Sequence, residues 1–179
     1  MPEITIRPAQ QVDIESLQAF EHGYYTEYVW QMNQEVDQGE SQTAFRRVRL
    51  PRKVFVSYPR KRQKVFNQFE QAEAFLVAEL SDRPVGYLKL SAEPEAEIAR
   101  VTDLVVSAPA RRQGIASGLM LAGMNLAINR QYCMIILEMQ SKNDPAIRMA
   151  AKLGFGFCGF RDYYFPNQEL ALFYSRFAR

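Results

Sequence analysis

Two groups of residues in this chain have the types and spacing to do chemistry. One is a basic, glycine-bearing loop, Arg111-Arg112-Gln113-Gly114-Ile115-Ala116. The apolar run Thr102–Ser107, with β-branched Val105 and Val106, precedes it, and Pro109 stops that run. After it Ile115, Leu119, Ala122 and Leu126 recur at spacings of four, three and four. The pattern is strand, tight loop, then a helix opened by the Arg111–Ala116 segment with one apolar face. The first N–H groups of a helix lack intrahelical partners, and the helix dipole adds partial positive charge there. The junction is therefore shaped to cradle a phosphate or pyrophosphate, with Gly114 and Ala116 leaving room for oxygens. No Gly-Lys-Ser/Thr closes it and no GxGxxG is present, which excludes a Walker loop and a dinucleotide fingerprint. A glycine at such a junction also serves packing alone, and the local pattern leaves both readings open.

The second group is carboxylates in apolar runs: Asp103 inside the predicted strand, Glu138 in MIILEMQ (Met134–Gln140), and Glu97 just ahead of Ile98. A carboxylate in a buried strand needs a partner or a task. It can accept a proton, recognise a cation or anchor a hydrogen-bond network. The single histidine, His22, has no nucleophile motif beside it and reads as a surface or helix-end residue. Cys133 and Cys158 lack metal-ligand spacing and read as reduced, buried thiols of a cytoplasmic protein.

The elements that must position these groups follow from periodicity and punctuation. Ile4–Arg7 alternates as a strand ended by Pro8. Asp13 opens an amphipathic helix carrying Val12, Ile14, Leu17 and Phe20, with Gly23 as its stop. A second helix is expected over about Thr26 to Asp37, with Tyr24, Tyr25, Tyr28 and Trp30 in or before it. Nine cations lie between Arg46 and Lys64 with no acid from Glu40 to Glu70. The other 13 stand against all 20 acids, so the rest of the chain carries −7. The alternation of VRLPRKVFVSYPRK suits an edge strand pair. Its charge fits a solvated edge, a patch for an acidic or phosphate partner, or nucleic acid, for which no fold signature is present. Ala72–Leu80 and Pro84–Ser91 form a hairpin through Ser81-Asp82-Arg83, and Glu93–Glu97 is a loop. Asp144 is the expected N-cap of a short helix, with Pro145 at its first position and Gly154 closing it. Phe155–Arg161 and Leu170–Phe177 are a last antiparallel pair joined by Pro166-Asn167. Residues 1–179 are expected to make one domain. No run reaches the length of a membrane span, and Pro2 and Glu3 stand where a basic leader would begin.

Three stretches in this order, the Arg-x-x-Gly-x-Ala loop, MIILEMQ followed by Asn143-Asp144-Pro145-Ala146-Ile147, and Lys152-Leu153-Gly154-Phe155, resemble the GNAT superfamily of acyl-CoA-dependent N-acyltransferases. The likeness spans about residues 75–175, and ITIRPAQ looks like the family's first strand. The tail Glu169–Tyr174 looks most like the branch containing streptothricin acetyltransferases. The resemblance implies an α/β fold with a mixed, mostly antiparallel, V-splayed sheet flanked by helices, and acetyl-CoA as cosubstrate. It assigns the pyrophosphate to the loop and first turn, Arg111, Arg112, Gln113, Gly114, Ile115, Ala116 and Ser117, with both arginine side chains contributing. Leu104, Val105 and Val106 would offer main-chain hydrogen bonds to the pantetheine arm, and an N–H near Val106 would hold the oxyanion. Asn143 would lie near the cofactor or cap its helix. A primary amine near pKa 10 is protonated at neutral pH, so a carboxylate must take its proton. Asp103 is the first choice, then Glu138, then Glu97. Many family members place a tyrosine before Leu-Gly-Phe as an acid for the thiolate. Here that position is Ala150, and Tyr163, Tyr164 or Tyr174 would substitute.

The implied function is acetylation of a small cationic amine, such as a streptothricin-type antibiotic, drawn by the −7 outside the basic stretch. A protein N-terminus or lysine is the alternative acceptor, and a non-catalytic acyl-CoA sensor the alternative class. The expected partner is a small molecule, with a homodimer as an open option and neither membrane nor nucleic acid.

Overall fold

The computed structural model describes residues 4–67 and 69–178; Pro2 and Glu3 lie outside them. The elements in chain order are β1 (Ile4–Pro8), α1 (Ile14–Gln18), β2 (Tyr24–Asp37), β3 (Glu40–Val56), α2 (Arg62–Asn67), β4 (Ala74–Leu80) and β5 (Arg83–Glu93). Then come β6 (Ile98–Val106), α3 (Ile115–Asn129), β7 (Met134–Gln140), α4 (Asp144–Lys152), β8 (Gly156–Arg161) and β9 (Ala171–Phe177). Seven strands form one sheet in the order β1-β4-β5-β6-β7-β9-β8, and β2 with β3 make a separate two-stranded ribbon. Only β6 and β7 run parallel. The fold is thus the mixed, mostly antiparallel α/β arrangement expected.

The sheet is buried on both faces. β4 sends Leu76 and Ala78 into a core under α3 and α4, and Phe75 and Val77 into a second core with Leu17, Val65 and Phe66. Gly123 lets α3 come down on Leu88, whose side-chain carbons would lie 3.2 Å from an added Cβ.

Two irregularities open the centre of this sheet. First, β6 and β7 pair only from Ile98–Val101 against Met134–Leu137. Beyond Val101 the strands part, which is the splayed V. Second, β6 is bulged: Lys89 of β5 faces Asp103 and Leu90 faces Val101, so Thr102 has no opposite number. Before the bulge Ala99 and Val101 enter the first core; after it Leu104 and Val106 pack there and Val105 enters the second. One extra residue exchanges the two faces of a strand. Without it Asp103 would share the face of Val101 and lie in the apolar core. With it the carboxylate shares a face with Lys89 at the mouth of the V.

Several expected elements differ. The segment from Tyr24 is β2, not a helix. Its residues YYTEYVW are aromatic and β-branched, favouring a pleated surface. Gln38-Gly39, with Gly39 at φ 88°, turns it directly into β3. The basic stretch accordingly supplies one strand of that hairpin. Thr26 faces Val54 while Tyr28 faces Arg49, so the excursion at Leu50–Lys53 carries Pro51, which no ladder need accept. The first helix is shorter than expected: a 3-10 turn at Gln11–Asp13 leads into α1, which ends at Gln18, and Val12 is exposed. α3 starts at Ile115, after a 3-10 turn at Ala108–Ala110. Its buried face is Ile115, Leu119, Met120, Gly123, Met124 and Ala127, with Ala122 and Leu126 at its margin. Cys158 is exposed and Cys133 half-buried, so neither is the buried thiol expected; Cys133 donates to Glu97 at 2.7 Å. Glu97 sits in a left-handed turn (φ 53°) holding that thiol, at the far end of β6 from Val106. Among the described residues no helix is long and apolar enough to cross a membrane.

Candidate active site

The V holds a cavity of about 80 Å³ lined by β6, β7, α4 with its cap Asn143, His22, Tyr24 at the start of β2, residues 58–60 after β3, and Phe165. Strand alternation sends Ile135, Leu137 and Met139 of β7 to the first core and turns Glu138 to the opposite face. Asp103 and Glu138 therefore enter the cavity from two strands, both under a tenth exposed.

Each carboxylate is met by the loop after β3. Tyr58 donates its hydroxyl to Asp103 Oδ1, and the Arg60 guanidinium is ion-paired with Glu138 Oε1. Arg60 Nη1 also donates to the Thr102 carbonyl at 2.9 Å and lies 3.8 Å from Asp103 Oδ1. Glu138 Oε2 accepts from the Tyr164 hydroxyl at 2.5 Å and lies 3.8 Å from Arg100. Glu138 is thus saturated with donors. Asp103 is not: among the described residues, no recorded hydrogen bond reaches its Oδ2. Burial and the neighbouring carboxylate push the Tyr58 phenol well above its ordinary pKa, so it stays a donor. Lys89, buried opposite Asp103 and donating to the Val65 carbonyl at 3.1 Å, is pushed below its ordinary pKa by burial.

His22 is not a surface residue: it is buried beside Tyr58, Phe66 and Tyr87 and lines the cavity. Its Nδ1 donates to the Phe20 carbonyl at 2.7 Å, which leaves a lone pair on Nε2. Burial holds its pKa below the ordinary value, so the ring is neutral at neutral pH. Among the described residues, Nε2, the Tyr87 hydroxyl and Thr102 Oγ1 are buried with no hydrogen-bond partner.

At the other end of β6 lies the loop expected to cradle a phosphate, leading into α3. Gly114 caps α3 at φ 82°, a backbone that only glycine adopts freely, and no side chain caps the N-terminus. An added Cβ would meet nothing within 4 Å, so the space in front of these N–H groups is open. Arg112, Gln113 and Gly114 are exposed there, Ile115 is buried, and Ala116 and Ser117 are half-buried. Arg111 differs from the expectation. Its Nε donates to the Val106 carbonyl at 2.9 Å, and its Nη2 to the carbonyls of Gly23 at 2.9 Å and Glu21 at 2.6 Å. The side chain is a staple between the end of β6 and the segment beside His22. The Arg111 guanidinium is thus taken up by main-chain carbonyls, while Arg112 is exposed ahead of the first N–H groups of α3.

Between cradle and cavity runs the free edge of β6. The Thr102 carbonyl points into the V, and two-residue alternation turns the main-chain groups of Leu104 and the Val106 N–H the same way, the Val106 carbonyl being taken by Arg111. An extended, amide-bearing arm fits such an edge as an added strand. The uncapped helix, the open space at Gly114 and this unpaired edge together suit the pyrophosphate and pantetheine of coenzyme A.

The remaining candidates separate clearly. Asn143 is the N-cap of α4, accepting from the Ala146 N–H at 3.2 Å, while it also lines the cavity. Asp144, expected as that cap, instead takes Arg47 in a two-point ion pair and the Trp30 indole at 3.2 Å. Tyr163 is 72% exposed at φ 50° and away from the carboxylates; Tyr164 is on them. Tyr174 is packed in the first core, as is Ala150. Sequence reasoning missed Tyr58 and Arg60 as site residues. Their one signal was a tyrosine and an arginine flanking Pro59 in a stretch otherwise read for bulk charge.

The description "Acetyltransferase (GNAT) family" belongs to a family model that matches residues 39–155. A nourseothricin acetyltransferase structure superposes with TM-score 0.83 at 21% identity, over 98% of this chain and 99% of that one. A Bacillus anthracis protein described as a streptothricin acetyltransferase, solved with acetyl coenzyme A, gives 0.76 at 18%, over 98% and 99%. The ribosomal-protein-S18-alanine N-acetyltransferase of Escherichia coli gives 0.70 at 14%, over 98% and 94%. No curated protein sequence matches. At these identities the structural likeness is one of fold.

Proposed function

We propose that this chain, which belongs to the GNAT acetyltransferase family, moves the acetyl group of acetyl-CoA onto a primary amine of a small cationic molecule. The observation that carries this proposal is the pair of buried carboxylates, Asp103 and Glu138, in one cavity, with only Asp103 keeping an oxygen free of hydrogen bonds. A small cleft with one carboxylate oxygen left open favours the amino group of a compact molecule over a polypeptide lying along a surface. Two solved relatives whose fold is shared carry streptothricin-class names, which supports an antibiotic-like acceptor. Residues 1–179 act as one catalytic domain on this proposal.

Acetyl-CoA supplies a thioester whose carbonyl carbon takes the amine nitrogen as the carbon–sulfur bond breaks and the thiol leaves. The first N–H groups of α3, from Ile115 on, with exposed Arg112 and the backbone around Gly114, hold its pyrophosphate. The edge of β6 from Leu104 to Val106 orients the pantetheine arm, and a main-chain N–H there faces the developing oxyanion. Asp103 accepts the proton of the incoming amine through Oδ2, while Tyr58 fixes Oδ1. Glu138, saturated by Arg60 and Tyr164, holds the wall of the cleft. Tyr164 is the hydroxyl nearest the role that a tyrosine at position 150 would fill.

The test is free-thiol release from acetyl-CoA across a panel of streptothricin, polyamines, aminoglycosides and peptides. Release should depend on a small cationic amine. Asp103→Asn should lower kcat by about 10²–10⁴-fold, the usual worth of a positioned base. Gly114→Glu, which puts a side chain on a φ of 82° and a negative charge in the cradle, should abolish acetyl-CoA binding. Release with peptides alone would instead support a protein acceptor. Acetyl-CoA binding without release for any amine would support a sensor.

A further inference from the structure

Arg60 sits where a cationic substrate should feel it most. Its guanidinium is bonded to Glu138 and to the Thr102 carbonyl and lies 3.8 Å from Asp103 Oδ1, so it is held inside the cleft by two hydrogen-bond acceptors beside a second carboxylate. Phe165 closes over it, with the ring centroid 5.2 Å from Cζ. Arg100, paired with Glu93, adds a second cation 3.8 Å from Glu138. An ammonium docking on the open oxygen of Asp103 would therefore meet a fixed positive charge about one residue's width away.

We propose that Arg60 is a positioning residue that makes the cleft accept the acceptor amine in its neutral form. This rests on the reading of the cleft as an acceptor site for amines. Asp103 alone would stabilise the ammonium and hold the nitrogen lone pair out of reach. The fixed guanidinium opposes that, so the amine gives up its proton on entry and reaches the thioester as a nucleophile. Two unit charges 4–5 Å apart in a partly buried site interact strongly enough to move a pKa by about one to two units. The other titratable groups facing Asp103 do not cancel this effect. Tyr58 and Tyr87 have their phenols pushed up by burial and stay neutral. His22 is neutral at neutral pH. Lys89, across the strand, is pushed below its ordinary pKa by burial and works in the same direction as Arg60 where charged. Glu138 is bound by Arg60, Arg100 and Tyr164, so it is the counter-ion that keeps the guanidinium in place.

The experiment compares wild type, Arg60→Gln and Arg60→Lys with the best amine of the panel, measuring kcat and KM from pH 6 to pH 10. For Arg60→Gln the acidic limb of the kcat profile should move up by about one to two pH units. KM below that limb should fall, because the ammonium now binds. Arg60→Lys, which restores the charge, should return the limb toward wild type. Acetyl-CoA affinity, measured by fluorescence titration, should match in all three. An Arg60→Gln limb at the wild-type pH, with kcat lowered uniformly, overturns the inference and leaves Arg60 as a structural contact. A variant that loses acetyl-CoA binding has lost its fold and overturns it too if Arg60→Lys does the same. Wild type that acetylates no amine at any pH overturns the acceptor-site reading and this inference together. The two failures are therefore distinct.

Discussion

At the scale of single residues, the cleft separates candidates that sequence alone leaves equivalent. Tyr163 and Tyr164 are adjacent, yet only Tyr164 reaches Glu138; the left-handed turn at Tyr163 sends its ring into solvent. Tyr164→Phe should lower thermal stability by about 1.5–3 kcal/mol, the worth of a hydrogen bond to a charged group. Tyr163→Phe should leave both the melting curve and thiol release unchanged. A differential scan of the two variants decides the point. Asp103 was legible because a carboxylate in an apolar strand is an anomaly that a single residue displays by itself. Tyr58 and Arg60 were not, because their meaning lies in partners 45 and 78 residues away. A stretch dense in cations hides one that is spoken for among those that are solvated. His22 was misplaced for the same reason: nothing in its neighbours says that Tyr58 and Tyr87 close over it.

At the scale of elements, the β2–β3 hairpin matters most, and half of it was read as helix. Aromatic spacing from Tyr24 to Trp30 suits either period over so short a window, and only the Gly39 turn and the β-branched composition favour the strand. By contrast β7 begins and ends where periodicity placed it, since a buried strand flanked by turn residues has one reading. One mooring of the hairpin lies at the start of α4, beside the packing of Phe45 on Phe157 and Phe160. Trp30 donates its main-chain N–H to the Ser141 carbonyl at 2.9 Å, and Arg47, stacked on Tyr28, grips Asp144. Burial alone would raise the Asp144 carboxyl. The Arg47 and Trp30 bonds and the charges of Arg47 and Arg148 outweigh that and hold it below 3.8. A lowered folded-state pKa contributes stability that is full above the ordinary value and drains away as pH falls through the folded one. Hydrogen exchange should therefore report β2 and β3 opening at acid pH before β4 and β5. Asp144→Ala should produce the same selective opening at pH 7. Uniform loss of protection in both sheets would show that the mooring is not local.

At the scale of the whole molecule, the mixed, mostly antiparallel, splayed sheet was legible through the resemblance to a family carried by three continuous stretches of residues. The bulge at Thr102 was not, because it is a failure of pairing between strands and leaves no mark on either strand's own pattern. The finished arrangement divides its labour by chain segment. The cradle and the β6 edge come from residues 102–117, whereas Tyr58 and Arg60 arrive on the return of a hairpin that belongs to neither core strand. Three of the side chains that line the cleft, Tyr24, Tyr58 and Arg60, thus come from one uninterrupted passage, residues 24–67. Such a passage is exchangeable in the way a cartridge is. Transplanting the corresponding hairpin from a relative with another acceptor should carry that acceptor's preference across in the thiol-release panel while acetyl-CoA affinity stays put. New amine specificities would then be reachable by replacing one segment, without rebuilding the sheet that holds the acyl donor.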